Sequence, residues 1–390
     1  MIAITNGRIV FPDRVDSGLA ILVEGNRISD IVSAHAIPAS AQVIDAGGRL
    51  VTPGLVDIHI HGAEGVSFND AKRDSFATIA AACARRGITT ILATTATATI
   101  DELAACLAIT RQWEENPGPG AQIAGAHVEG PYFSMEQRGA QDPKHIRNPD
   151  DGSVDTLLAF RDVIRMLTFA PELPGAIDLT RRLLNQGIVA AMGHSSAIDT
   201  EVEAAVAAGA THAIHLWSGQ SSTVRHGAWR KPGILEASLA SDFLTGEIIA
   251  DNKHLPPTLM RLAWKCLGSD RLCLVSDATS GAGLPEGSEF SMGAMSYIVA
   301  GGVGMMHDQS AFAGSTTLLN QMVPIAIEHI GVPLHEAVRM ASLTPANVVG
   351  LEDHIGSIEV GKDADLVIFE DDFTPHQVMI GGAWQRDSTA

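Results

Sequence analysis

Eight short apolar runs recur between residues 53 and 345, interleaved with Ala- and Leu-rich stretches of helical spacing, and this alternation constrains the fold more than any other feature. The runs are Val56–Ile60, Thr90–Thr94, Ile123–Val128, Met166–Phe169, Ile188–Met192, Ala213–Leu216, Glu247–Ala250 and Leu272–Ser276. Such a pattern predicts parallel strands joined by crossover helices, and eight strands close a barrel. The expected fold is α/β, a (β/α)8 TIM-like barrel over 53–345. Residues 1–52 and 346–390 instead alternate β-rich runs with turn signals such as Asn6-Gly7, Gly25-Asn26, Gly361-Lys362 and Gly381-Gly382. Together they predict a small β-sandwich domain built from both chain ends. The stretches Gly130–Gly152 and Ser280–Ser315 follow strands three and eight and read as loops over the barrel mouth, candidate lids or substrate walls.

A barrel of this kind opens every strand's C-terminal end onto one face, so side chains distant in sequence converge there. Five metal-seeking groups occupy those ends: His59 and His61 in LVDIHIHG, Glu129 in AHVEGP, His194 in AAMGHS and His215 in HAIHLW. Residues i and i+2 share a strand face, so the first two imidazoles can grip one ion. A His-x-His pair carries little weight alone in a chain with 15 histidines; its place at the end of the first strand gives it weight. Glu129 read alone is also compatible with a solvated loop acid. Of His212 and His215, three apart, only one faces inward; the more apolar context favours His215. His212 and His127 are read as structural. Asp277, at the end of the eighth strand in LVSDAT, is the candidate general acid–base; the alternative is a helix N-cap aspartate.

Lys and Arg number 26 against 45 Asp and Glu, a net charge of 26 − 45 = −19, which disfavours nucleic acid and anionic membranes as partners. A small-molecule substrate is expected instead. Cys83, Cys106, Cys266 and Cys273 form no CxxC pair and are read as reduced core residues of a cytoplasmic protein. The opening MIAITNGRIVF shows no charged leader ahead of an apolar stretch, so the protein is expected to be soluble and unexported.

The motifs NGRIV, VIDAGGRLVTPGLVDIHIHG, HVEGP, APE, GHS, HAIHL, ADNKH, LVSDAT, AFAGS and IGSIEVGKDADLVIF resemble the amidohydrolase superfamily and, within it, the N-acetylglucosamine-6-phosphate deacetylase family, over almost the whole chain. Many superfamily members carry a bridging lysine on strand four. Here that strand, Arg165 to Glu172, has none, and Glu129 stands on strand three, as in the deacetylase branch. The resemblance implies that Glu129, His194 and His215 hold the main cation, with His59 and His61 able to hold a second. Zinc is the first choice, one or two ions per chain. It further implies hydrolysis of an N-acetyl amide by metal-activated water, with Asp277 carrying the proton to the departing amine.

Substrate recognition departs from the family pattern. Gln141 stands where the family has a histidine near the scissile carbonyl, and Ser218-Gly219 replaces an Asn-Ala pair that helps hold phosphate. Arg230 matches the family's phosphate arginine, which a homodimer would supply across its interface. His254 matches a substrate-contacting histidine, although Asn252 replaces the usual glycine. These changes keep a second reading open, deacylation of a different, unphosphorylated N-acyl amino sugar or small N-acyl amine. A remote third is a non-catalytic binding or assembly protein on the same fold.

Overall fold

The computed structural model describes residues 1–385, so the last five residues assigned to the β-sandwich domain lie outside the described residues. Eight parallel strands form the barrel: β1 (Leu55–Ile60), β2 (Ile88–Thr95), β3 (Gln122–Glu129), β4 (Ile164–Phe169), β5 (Val189–Met192), β6 (His212–Ala213), β7 (Thr245–Ile249) and β8 (Leu272–Val275). Each pairs with the next in chain order. Their β-branched and aliphatic residues suit strands covered on both faces; every residue of β1, β2 and β8 is buried. At the seam between β8 and β1, Ile60 bridges Ala278, and the Asp277 amide donates to the His59 carbonyl at 2.8 Å. The Asp57 carboxylate fastens the same seam, accepting from the amides of His59 and Ser276 at 3.3 and 3.2 Å.

Local signals set the helix ends. Thr99 and Glu102 form a reciprocal capping box ahead of the helix Ile100–Glu115. Pro257 occupies the first turn of Pro257–Leu267, where a missing amide hydrogen costs nothing. That helix buries Met260, Ala263 and Leu267, one stripe at helical spacing, and Cys266 falls off the stripe. Cys266 is therefore exposed, against the expectation of a core residue, whereas Cys83, Cys106 and Cys273 are buried; all four are free thiols.

Both chain ends build the β-sandwich. One sheet has four strands from residues 2–45, and the other joins Arg8–Val10, Val15–Asp16 and Leu50–Pro53 to Leu366–Phe369, Pro375–Ile380 and Ala383–Trp384. Ile4, Ile21, Val23, Val51, Leu366 and Ile368 pack between them. The stretch after β8 is not a loop but a four-stranded antiparallel sheet: β9 (Glu289–Met292), β10 (Met295–Ala300), β11 (Val303–Met305) and β12 (Phe312–Ser315). Its glycines suggested a loop because they sit at the turns; Gly293, Gly301 and Gly302 all have positive φ. Between the turns, Phe290, Met292, Tyr297 and Val299 alternate inward. The Tyr297 hydroxyl donates to the Ala140 carbonyl at 2.7 Å, tying this sheet to the loop after β3. Among the described residues, no helix is long and apolar enough to cross a membrane.

Candidate metal centre

The barrel brings the five expected ligands into one buried cluster. Glu129, the last residue of β3, lies at its middle. Its Oε1 is 3.0 Å from His215 Nε2, 3.1 Å from His194 Nε2 and 3.7 Å from His59 Nε2. Its Oε2 is 3.5 Å from His61 Nε2. Two potential ligand triads share it, His59–His61–Glu129 and Glu129–His194–His215, each with ligand atoms within 4.8 Å of one another. Asp277 Oδ1 faces the first triad, 3.2 Å from His61 Nε2 and 3.6 Å from His59 Nε2.

The hydrogen bonds behind the imidazoles decide which nitrogen faces inward. His194 Nδ1 lies 2.8 Å from the Gln137 carbonyl, and His59 Nδ1 lies 2.9 Å from Glu247 Oε2. Both partners only accept, so both Nδ1 atoms carry hydrogen, and a cation taking the place of a proton between these rings and Glu129 would be met by Nε2 of each. His59 Nε2 is buried with no hydrogen-bond partner. Lone pairs converging on carboxylate oxygens repel unless a cation or protons lie between them, so this donor set fits a divalent ion.

The electrostatics have the same origin. Burial raises the Glu129 pKa, but the hydrogen bonds from His194 and His215 and the imidazole charges outweigh it and hold the carboxyl well below its ordinary range. Burial also raises that of Asp277, and it too is lowered on balance, by the His61 bond and the charges of His59, His61 and His215. It is thus an ionised acceptor at neutral pH. Burial lowers the His59 pKa, yet Glu247, Asp277 and Glu129 together carry it up to about 10. A proton and a cation therefore compete for this ring.

A cavity of about 210 Å³ opens above the cluster, lined by four of the five ligands and Asp277. Gln141, Ser218, Gly219 and His254 line it too, with Met292 and Phe312 from the β9–β12 sheet as apolar wall. Gln141 is engaged at both ends of its amide, accepting from the Thr97 amide at 2.7 Å and donating to Glu129 Oε2 at 2.5 Å. Asp251 accepts from His254 Nδ1 at 2.7 Å and from the Ser315 hydroxyl at 2.9 Å, leaving His254 Nε2 for the cavity. Asn252 has φ +57, the left-handed conformation in which asparagine is the best substitute for glycine. Arg230 is not brought to the cavity. It lies on an exposed hairpin of Val224–His226 and Trp229–Lys231, and among the described residues no lysine or arginine lines the site.

His127 and His212 stand behind the ligands. His127 Nε2 meets the Thr168 hydroxyl at 2.7 Å, and His212 Nε2 meets Glu247 Oε1 at 3.0 Å. Sequence reading missed Glu247, Asp251 and Glu172, the last of which accepts from the Ser195 hydroxyl and the Ser196 amide and fixes the turn after His194. A carboxylate within the otherwise apolar run GEIIA was the available signal for Glu247.

Barrel, buried ligand cluster and adjacent carboxylate define a metal-dependent hydrolase of the (β/α)8 class. A family model described as the amidohydrolase family matches residues 50–384, and the chain belongs to that family. It is 32% identical over 376 residues to an N-acetylglucosamine-6-phosphate deacetylase of Vibrio furnissii, covering 96% of this chain and 92% of the relative. Identity is 33% to an N-acetylgalactosamine-6-phosphate deacetylase of Escherichia coli O157:H7, covering 91% and 93%. The crystal structure of N-acetylglucosamine-6-phosphate deacetylase from Pasteurella multocida superposes with a TM-score of 0.93 at 30% identity, covering 99% of this chain and all of the other.

Proposed function

We propose that this chain removes the acetyl group from an N-acetylhexosamine 6-phosphate, using zinc held by His59, His61, Glu129, His194 and His215. The observation that carries this reading is the convergence of those five groups beside the ionised Asp277 at the floor of a small cavity. A bound cation supplies Lewis acidity, polarising the amide carbonyl and lowering the pKa of water. Asp277 takes a proton from the attacking water. As the water oxygen bonds to the carbonyl carbon and the C–N bond breaks, Asp277 delivers that proton to the leaving nitrogen, giving acetate and the amino sugar. His254, fixed through Nδ1 by Asp251, directs Nε2 at the sugar. Ser218 and Gly219 donate to the phosphate, and Gln141 holds Glu129 while lining the acyl end.

Relatives named for the gluco and the galacto sugar match about equally, so the reading extends to either epimer. The phosphate cation is Arg230 of a second copy in a cytoplasmic homodimer. Its exposed hairpin, with Trp229 78% exposed, supports such a contact. A second reading, an unphosphorylated N-acyl amino sugar, draws support from the lack of a lining lysine or arginine among the described residues. Amine release from N-acetylglucosamine and N-acetylgalactosamine, each with and without a 6-phosphate, tests both. Preference for phosphorylated sugars is expected; equal rates with and without phosphate would favour the second reading.

A further inference from the structure

Glu247 is a fully buried carboxylate on β7 for which the hydrolytic chemistry has no direct use. Its Oε2 accepts from His59 Nδ1 at 2.9 Å and from the His215 backbone amide at 3.1 Å, and its Oε1 meets His212 Nε2 at 3.0 Å. One side chain thus ties a ligand of β1 to the backbone of a ligand just after β6. Burying a carboxylate is costly unless both oxygens are satisfied, and both are satisfied here.

We propose that Glu247 is a positioning residue, aiming His59 Nε2 into the cluster and locking the His59 and His215 ligands into one frame. The inference rests on the metal-centre reading above. Carboxylate oxygens only accept, so Oε2 fixes the hydrogen of His59 on Nδ1 and leaves the Nε2 lone pair for a cation. Glutamine is a poorer substitute. Turned so that its oxygen meets His59 and the His215 amide, it keeps those bonds only if His212 carries its hydrogen on Nδ1, 2.6 Å from Thr245 Oγ1, and accepts the NH2 group at Nε2; turned the other way, it presents that group to His59 Nδ1–H and to the His215 amide. In either orientation it lacks the negative charge that makes the His59 ring a stronger donor to a cation.

The test uses full-length protein stripped of metal and titrated with zinc against a chromophoric chelator, comparing wild type with His59→Asn, His194→Asn, Glu247→Gln and the double variant His59→Asn/Glu247→Gln. Glu247→Gln is expected to weaken zinc binding about 10- to 100-fold, the usual cost of losing a partner behind a ligand. The double variant is expected to lose much less relative to His59→Asn than Glu247→Gln loses relative to wild type, the remainder being the hold on His215. Wild-type affinity and stoichiometry in Glu247→Gln would overturn the proposal, as would additive losses in the double variant. Should Glu247→Gln not fold, nitrogen-15 NMR of zinc-loaded wild type decides: hydrogen on Nδ1 of His59 supports the proposal, and hydrogen on Nε2 overturns it. Failure of wild type to bind zinc would instead reject the metal-centre reading. Loss of binding in His194→Asn but not in His59→Asn would leave the centre standing and remove the role of Glu247.

Discussion

Asp277 and His194 both hold φ at 45°, a left-handed backbone that non-glycine residues rarely adopt. Each stands where a strand turns abruptly, and the turn brings its side chain back over the barrel mouth, so the strain sits where chemistry is expected. Asp277→Asn keeps the shape and removes the proton acceptor. It should bind zinc as wild type does and turn over at least about 100-fold more slowly; a near-normal kcat would refute the assigned role. Gly219 is a second sensitive position. A Cβ there would lie 2.6 Å from His194 Nδ1 and 2.8 Å from the Gln137 carbonyl, at φ +58. Gly219→Ala, although it restores the alanine of the family pattern, should displace His194 and weaken zinc binding at least about 10-fold in the chelator titration; unchanged affinity would show that the contact yields. At this scale the convergence of His59, His61, Glu129, His194 and His215 was legible because each stands at or just past the end of an apolar run. Glu247 and Asp251 were not, since they are recognised by the histidines they touch, and those contacts cross 188 residues in one case and three in the other.

The two sheets outside the barrel make different demands on their sequences. In the β-sandwich, burial pushes the Asp365 carboxyl up from 3.8 to about 6, despite the bond it accepts from the Gly381 amide at 2.7 Å. The folded state thus keeps a proton that the unfolded chain releases, so this group lowers stability as pH rises through that window. Asp365→Asn should be more stable than wild type above pH 6, by up to about 3 kcal/mol, with the gain vanishing below about pH 4. Urea midpoints at both pH values check this; a gain that does not depend on pH would contradict it. All eight barrel strands were legible from apolar runs alone, within a few residues at each end. The β9–β12 sheet was hidden because its turns are glycines and its inward residues alternate over strands of only three to six residues, which composition averages into a loop.

Over the whole molecule, a net charge of −19 and a cavity that no lysine or arginine lines among the described residues leave an anionic substrate dependent on a cation brought from elsewhere. Arg230→Ala should raise KM for a phosphorylated sugar at least about 10-fold while hardly moving that for its unphosphorylated counterpart. Mixing Arg230→Ala with Asp277→Asn under subunit exchange should restore about one site in four, because one class of mixed site then holds both an intact Asp277 and an intact Arg230. No recovery on mixing would place Arg230 outside any shared site. Such dependence between copies is legible in a sequence only through family resemblance, since no periodicity or burial pattern within one chain encodes it. The central claim is that distant imidazoles and carboxylates meet to hold a divalent cation on which amide hydrolysis depends. The most direct measurement follows metal content and amine release together as the purified protein is dialysed against a chelator and then resupplied with zinc. One or two ions per chain, loss of activity in step with their removal and recovery on zinc addition are predicted; full activity in metal-free protein would contradict the claim.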